Sequence, residues 1–360
     1  MKKLLLALAV LCLPCAAYAD ITIGAYGPLT GPVASESDYW KVGIEQAIED
    51  VNARGGVLGQ KLKLEMMDDA CDPRQAVAVM NRMVTKNVKA ILSGSCSGAI
   101  LAASPISDEV GIPQIVTVAL NSAITDHGWG TVYRMSGRDN DHARVAVAYL
   151  LQKARGKKIA IIHDKSAVTR GLADLAEKGL REAGEREVEL LAINPGENDL
   201  SPIIAKLKND GIDAVYLALF MREGGLFVRQ AKDQKFLPLM VGAQPLSLLE
   251  FKRIAGDAAD GVYVVNQKVP EPIPADVIER LRKRGHVEPA VHTYINYAGI
   301  ETLAQAMEQE KSAEAVRISV ALHKGRFQTI MGESGFNDKG DSSLAVGLYQ
   351  WHGAGLVSVQ

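Results

Sequence analysis

The stretch Ala90-Ile-Leu-Ser-Gly-Ser-Cys-Ser-Gly-Ala-Ile100 decides how this chain is read. Ala90 to Leu92 form a short apolar strand, and Ser93-Gly94-Ser95-Cys96-Ser97-Gly98 turn the chain. A helix is expected from about Ala99 to Val110. Small residues at such a turn let a ligand approach the backbone closely. The first N–H groups of the helix lack internal partners, so an anion such as a carboxylate is a natural guest. Ser95 and Ser97 hydroxyls can complete that cradle. The plainer reading is a strand-to-helix turn with capping serines. Gly-Ser-Cys-Ser-Gly also spells a nucleophile elbow with cysteine in the serine position.

The choice between cradle and elbow turns on the cysteines. Met1 to Ala19 read as a cleaved secretory signal: Lys2 and Lys3, an apolar core Leu4 to Leu13, then Ala17-Tyr18-Ala19. Cys12 and Cys15 fall inside it, preceded by Leu11 and Pro14, which is no lipoprotein context. Cleavage takes the 360-residue chain to 341 residues from Asp20, and losing two lysines moves the formal charge from −2 to −4. Cys71 and Cys96 remain. In an oxidising compartment an even pair argues for one disulfide. Closing a loop of about 25 residues is worth roughly 3.5 kcal/mol on the chain-entropy model. A bonded Cys96 is no nucleophile.

Strand and helix patterns alternate on both sides of the opening stretch. Upstream lie a strand Ile21 to Tyr26, a helix capped by Ser37 or Asp38 and running to about Ala53, and a strand Lys61 to Met67. A helix from Pro73 to about Lys86 leads into Ala90, and after the next helix Gly111-Ile-Pro113 begins a strand that runs through Val118. A second series starts with a helix from Asp141 to Lys153. Strands Lys158 to His163, Glu187 to Ala192, Ala214 to Leu219 and Leu239 to Gly242 follow, with helices Gly171 to Ala183, Leu200 to Asp210 and Gly224 to Gln234 between them. The series echo each other: Ala90 lies 23 residues before Pro113, and Ala214 lies 24 before Pro238. Later come a strand Gly261 to Val265, an extended Pro270 to Pro274, helices Ala275 to Arg284, His292 to Gln309 and Ala313 to His323, and a final strand Leu344 to Trp351. The fold class is therefore α/β, with two lobes of mainly parallel sheet and a ligand cleft between them at the strand carboxyl ends. A length of 341 residues is also too much for one ordinary core.

Several chemistries are missing. A mildly acidic chain has no electrostatic case for nucleic acid. No Gly-x-Gly-x-x-Gly follows a strand, no phosphate-loop signature occurs, and no His-x-x-x-His pair offers zinc. Asp68, Asp69 and Asp72 lack calcium-loop spacing and read as solvated caps. His163-Asp164 has no nucleophile to serve once Cys96 is bonded, so a structural or hinge role fits it. Tyr39-Trp40 can wall an apolar ligand or pack in the core. Arg280, Arg282, Lys283 and Arg284 read as a solvated helix face.

Four stretches carry a family resemblance: Asp68-Asp-Ala-Cys-Asp-Pro73 with Gln75-Ala-Val-Ala-Val79, Ile159-Ala-Ile-Ile-His-Asp-Lys165 with Gly171-Leu-Ala173, Ile212-Asp-Ala-Val-Tyr216, and Asp338-Lys-Gly-Asp341. With them the chain resembles the branched-chain amino-acid-binding (leucine/isoleucine/valine) proteins of ABC importers, over nearly all of Asp20 to Gln360. The resemblance implies a type I periplasmic binding fold, two Rossmann-like lobes joined by three hinge strands. Boundaries are expected at 20–138 plus 267–342 for the first lobe and 139–266 plus 343–360 for the second. It implies the Cys71–Cys96 disulfide, a small-molecule solute, ABC permease subunits as membrane partners, a periplasmic monomer, no cofactor and no catalysis. Ser97 matches the hydroxyl that helps hold the ligand carboxylate, with Ser95 beside it, and Val118 falls where a backbone group contributes. Leu120 stands in a threonine position, or Asn121 if the register slips by one. Val168 replaces an aromatic, Phe220 a tyrosine, and Gln244 the acid that pairs with the ligand ammonium; Trp40 is a candidate wall. Glutamine loses the charge-assisted contact, about twice as strong as a neutral hydrogen bond, and adds an amide donor for a carboxylate or carbonyl. An amino acid and a small apolar or aromatic carboxylate or amide are both admitted. A sensor that passes closure to a receptor and a secreted Cys96 hydrolase are the competing readings.

Overall fold

The computed structural model describes residues 19–270, 272–286 and 288–359. The signal segment, apart from Ala19, lies outside the described residues, as do Cys12 and Cys15. In chain order the first elements are β1 (Ile21–Gly27), α1 (Ser37–Ala53), β2 (Leu62–Asp68), α2 (Pro73–Thr85), β3 (Ala90–Ser93), α3 (Ser97–Glu109), β4 (Gln114–Val116), α4 (Ala123–Asp126) and β5 (Val132–Arg134). Then come α5 (Asp139–Ala154), β6 (Ile159–His163), α6 (Ala167–Glu182), β7 (Val188–Ala192), α7 (Ser201–Asn209), β8 (Ala214–Ala218), α8 (Met221–Asp233), β9 (Leu239–Gly242), α9 (Leu249–Ala255) and β10 (Tyr263–Gln267). The last are α10 (Ala275–Arg284), α11 (Val291–Glu310), α12 (Ala315–Lys324), β11 (Phe327–Thr329), β12 (Gly332–Ser334), β13 (Val346–His352) and β14 (Gly355–Val359).

The first sheet has the order β2-β1-β3-β4-β5, and the second contains β10-β9-β8-β6-β7. Shifted by five strands, the two orders are the same, and the pairings within each are parallel. The echo between Ala90 and Ala214 in the sequence is this repeat, since β3 and β8 hold equivalent places. Central strands such as β6 and β8 are buried along their whole length, which explains their unbroken apolar runs. The second sheet is extended by β13 and β14, both antiparallel.

α11 covers the first sheet and crosses α1 closely. A Cβ on Gly43 would lie 2.3 Å from the Thr293 carbonyl oxygen, so only glycine permits the crossing. The chain passes between the sheets three times: after β5, after β10 and before β13. These crossings are tied side by side. Lys268 N–H donates to Ala345 O at 2.8 Å, and Ser342 Oγ donates to Met135 O at 2.7 Å.

Several local expectations are corrected. Ser37 and Asp38 do not cap α1; the chain enters through a 3-10 turn, Ala34–Glu36, and Glu36 already has helical backbone, so no extended cap residue exists. Cys96, not a serine, precedes α3, and no side chain caps that helix. Asp72 does cap α2, accepting from Gln75 N–H at 2.8 Å with Pro73 following. Asp69 is buried rather than solvated and accepts from Cys71 N–H, and burial pushes its carboxyl up to about 6. Short α4, β5, β11 and β12 were not foreseen, and β13 is followed by a further strand. Three- and four-residue elements carry too little periodicity to be read.

Candidate functional site

Loops from both lobes converge at the carboxyl ends of the parallel strands, where folds of this type hold ligands. A cavity of about 20 Å³ lies there. The first lobe lines it with Glu36, Ser95, His292 and the Val118–Leu120 segment; the second lobe supplies Val168, Phe220, Gln244 and Pro245. Such a volume holds about one water, so the lobes stand closed and must part to admit an organic solute. The contact is already tight. Phe220, at the start of α8, packs against the cores of both lobes. Leu120 and Tyr39 from the first lobe lie in hydrophobic clusters of the second. Asn121 Nδ2 donates across the gap to Ala167 O at 3.1 Å.

Six of the eight residues named from the sequence share this lining: Ser95, Val118, Leu120, Val168, Phe220 and Gln244. Ser97 and Trp40 do not. Ser97 opens α3, buried, with its Oγ accepting from Asn121 N–H at 3.4 Å. Trp40 packs in the first core over Gly27, while its neighbour Tyr39 reaches the other lobe. Gln244 is buried and donates from Nε2 to Gln267 Oε1 at 3.2 Å.

Glu36 and His292 were missed. Nothing in the sequence around them signals a site, because they come from a 3-10 turn and a helix start far apart in the chain. Each is almost fully buried, and Glu36 Oε2, Ser95 Oγ and His292 Nε2 have no hydrogen-bond partner. Burial pushes the Glu36 carboxyl up to about 7. The nearby Ser95 hydroxyl offsets part of that rise without reaching it as a geometric hydrogen bond. Burial lowers the His292 imidazole to about 3, so it is neutral.

A buried ionic network holds the Val118–Asn121 segment from behind. Arg134, without solvent exposure, donates from Nη1 to Leu120 O at 2.8 Å and Asn121 O at 2.7 Å, and pairs with Asp341. Arg138 Nη1 donates to the other Asp341 oxygen at 2.6 Å. Burial would raise the Asp341 carboxyl, but Arg134, Arg138 and Thr125 outweigh it and hold it below the usual range.

Cys71 and Cys96 are bonded, with Cα atoms 5.4 Å apart, tying the loop after β2 to the turn after β3. The Cys96 hydrolase reading fails on that bond. His163 Nδ1 accepts from Lys165 N–H and Asp164 accepts from Ser166 N–H, so this pair shapes a turn. No group of His, Cys, Asp and Glu that could hold a metal ion, and no helix long and apolar enough to cross a membrane, is found among the described residues.

The family model described as periplasmic binding protein matches residues 20–353. The Leu/Ile/Val-binding protein homolog 3 of Brucella melitensis is 34% identical over 350 residues, covering 96% of this chain and 95% of that protein. The Leu/Ile/Val-binding protein of Escherichia coli is 32% identical over 342 residues, covering 94% and 93%. The crystal structure of a leucine binding protein from Thermotoga maritima superposes with a TM-score of 0.86 at 21% identity, covering 94% of this chain and 98% of that one. Paired lobes, a cleft at the strand ends and relatives matched along nearly the whole length agree: the chain belongs to the periplasmic binding protein family, in its Leu/Ile/Val-binding (branched-chain amino-acid-binding) type.

Proposed function

We propose that this cleft captures a small solute with a carboxylate, an amino acid of the branched-chain kind or a close relative, and that the closed form delivers it to ABC permease subunits. The solute meets the open first lobe at the Ser95–Ser97 turn, where the free N–H groups of α3 attract its carboxylate. Val118 and Leu120 flank it. Closure then brings Val168, Phe220 and Gln244 against it, and the ligand favours the closed state because only there does it touch both lobes. The observation that carries this reading is the shared cavity at the strand ends, with residues of both lobes in one lining. Lobes of 20–138 with 267–342 and 139–266 with 343–360, a monomer without nucleic acid, and export to the periplasm through the Met1–Ala19 signal complete the reading.

Titration calorimetry with amino acids and organic acids tests it. A saturable heat and a thermal shift with at least one of them are expected. Silence across the whole panel overturns the reading. Ser97→Ala is expected to weaken binding at least fivefold, and unchanged affinity removes Ser97 from the anchor.

A further inference from the structure

The polar groups that line the cavity are unevenly shared between the lobes. The second lobe offers a valine, a phenylalanine, a proline and a glutamine amide that is already engaged with Gln267. The first lobe offers a carboxyl, a hydroxyl and an imidazole, each with a buried polar atom lacking a partner. Buried polar atoms of folded proteins are nearly always paired, and three orphans around one cavity mark a place where a ligand completes the bonding. Glu36 is the only carboxyl in that lining, and no lysine or arginine lines it. A carboxylate so placed is costly until a positive charge meets it. The neutral neighbours Ser95 and His292 supply hydrogen-bonding atoms but no charge.

We infer that Glu36 is the cation-binding group of the cleft: the solute carries an ammonium that docks on Glu36 Oε2, flanked by Ser95 Oγ and His292 Nε2. This rests on the reading of the cleft as the solute site and narrows the ligand to amine-bearing carboxylates. Charge recognition then lies entirely on the first lobe, which binds before closure. The second lobe contributes an apolar face and one amide. The position of Gln244, where the resemblance implies an acid, fits this division, because the charge has a partner elsewhere. Burial also keeps part of the Glu36 population protonated near neutral pH, so an arriving ammonium displaces a proton from it. His292 is the only other titratable group lining the cavity among the described residues, and it is neutral across that range.

The test compares two ligand pairs matched in carbon skeleton, leucine with 4-methylpentanoate and 5-aminopentanoate with pentanoate. Each is titrated into the wild-type protein and into Glu36→Gln, a variant of the same shape whose folding is checked by thermal melting. In the wild type the amine-bearing member of the binding pair is expected to bind at least tenfold tighter. Glu36→Gln is expected to abolish that preference and leave the amine-free acid unchanged or tighter. Titration near pH 7 in two buffers of different ionisation enthalpy is expected to show proton release on binding in the wild type alone. Equal loss for both members in Glu36→Gln, or an amine-free acid that binds as well as its partner in the wild type, overturns the assignment and leaves the capture reading standing. Should Glu36→Gln fail to fold, the wild-type preference and proton release decide alone. No binding by any of the four overturns the assignment, and only silence across the wider panel of amino acids and organic acids overturns the capture reading with it.

Discussion

Arg134 is the residue whose loss is expected to cost most. Its guanidinium fastens the Leu120 and Asn121 carbonyls and pairs with Asp341, all out of water. Removing one partner of a buried pair leaves the other charge unpaired, which costs about 3–5 kcal/mol. Asp341→Asn is therefore expected to lose stability of that order in denaturant unfolding, and a loss below about 1 kcal/mol refutes the assignment. The carboxyl of Asp341 is held down in the fold, so its contribution is fully present above its unfolded pKa, near about 3.9, and is lost as pH falls through the lower folded value. His142 behaves differently. Both ring nitrogens lack partners, and burial, with Arg134 nearby, lowers it to about 3. Its unfolded form binds a proton below about pH 6.5, and its folded form does not, so stability drops on acidification at about 1.4 kcal/mol per unit. Between pH 6.5 and 5 a His142→Leu variant is expected to lose roughly 2 kcal/mol less stability than the wild type. Parallel pH dependences in the two proteins would discard the idea.

Among the elements, the disulfide and the hinge crossings carry the clearest consequences. The Cys71–Cys96 bond closes a loop of 25 residues, joining the ends of β2 and β3, the two strands that flank β1. The Cys71→Ser, Cys96→Ser pair of changes is expected to lower unfolding free energy by roughly 3.5 kcal/mol on the loop-entropy model. Thiol titration of the unreduced, unfolded mature protein is expected to find no free thiol. In the hinge, a Cβ on Gly137 would lie 2.7 Å from Val346 Cγ2, which joins the first crossing to the third. Gly137→Val is expected to spread the crossings and favour the open arrangement. Small-angle scattering of the ligand-free variant should then give a larger radius of gyration than the wild type, and an equal radius contradicts this.

At the scale of the whole molecule, two cores of the same strand order meet around the small cavity at the strand ends, and closure is a packing event. Phe220, Leu120 and Tyr39 each lie against hydrophobic clusters of the opposite lobe. A solute that binds only the folded chain stabilises it by about 2.7 kcal/mol at a concentration one hundred times its Kd. Thermal melts with increasing ligand should shift upward without a plateau, and a shift that saturates at one equivalent of a weak ligand would contradict simple linkage.

The sequence alone determined the alternation of strands and helices, the two echoing halves and the pairing of Cys71 with Cys96, because these follow from local periodicity, turn residues and an even cysteine count. The strands after which cavity-lining segments fall were legible for the same reason: Ser95, Val118, Leu120 and Phe220 lie on the loops that follow them, Gln244 opens a 3-10 turn, and Val168 stands in the first turn of α6. Only the tertiary structure decided which side chains face the cavity. Trp40 turns into its own core and Tyr39 crosses to the other lobe, although both belong to α1 and are adjacent in sequence. Glu36 and His292 lie 256 residues apart in the chain and meet at the cleft through the packing of α11 over the start of α1. Local sequence carries backbone preference and burial periodicity; it carries no record of which distant group a side chain will meet, and only that meeting put the Glu36 carboxyl in the cavity lining.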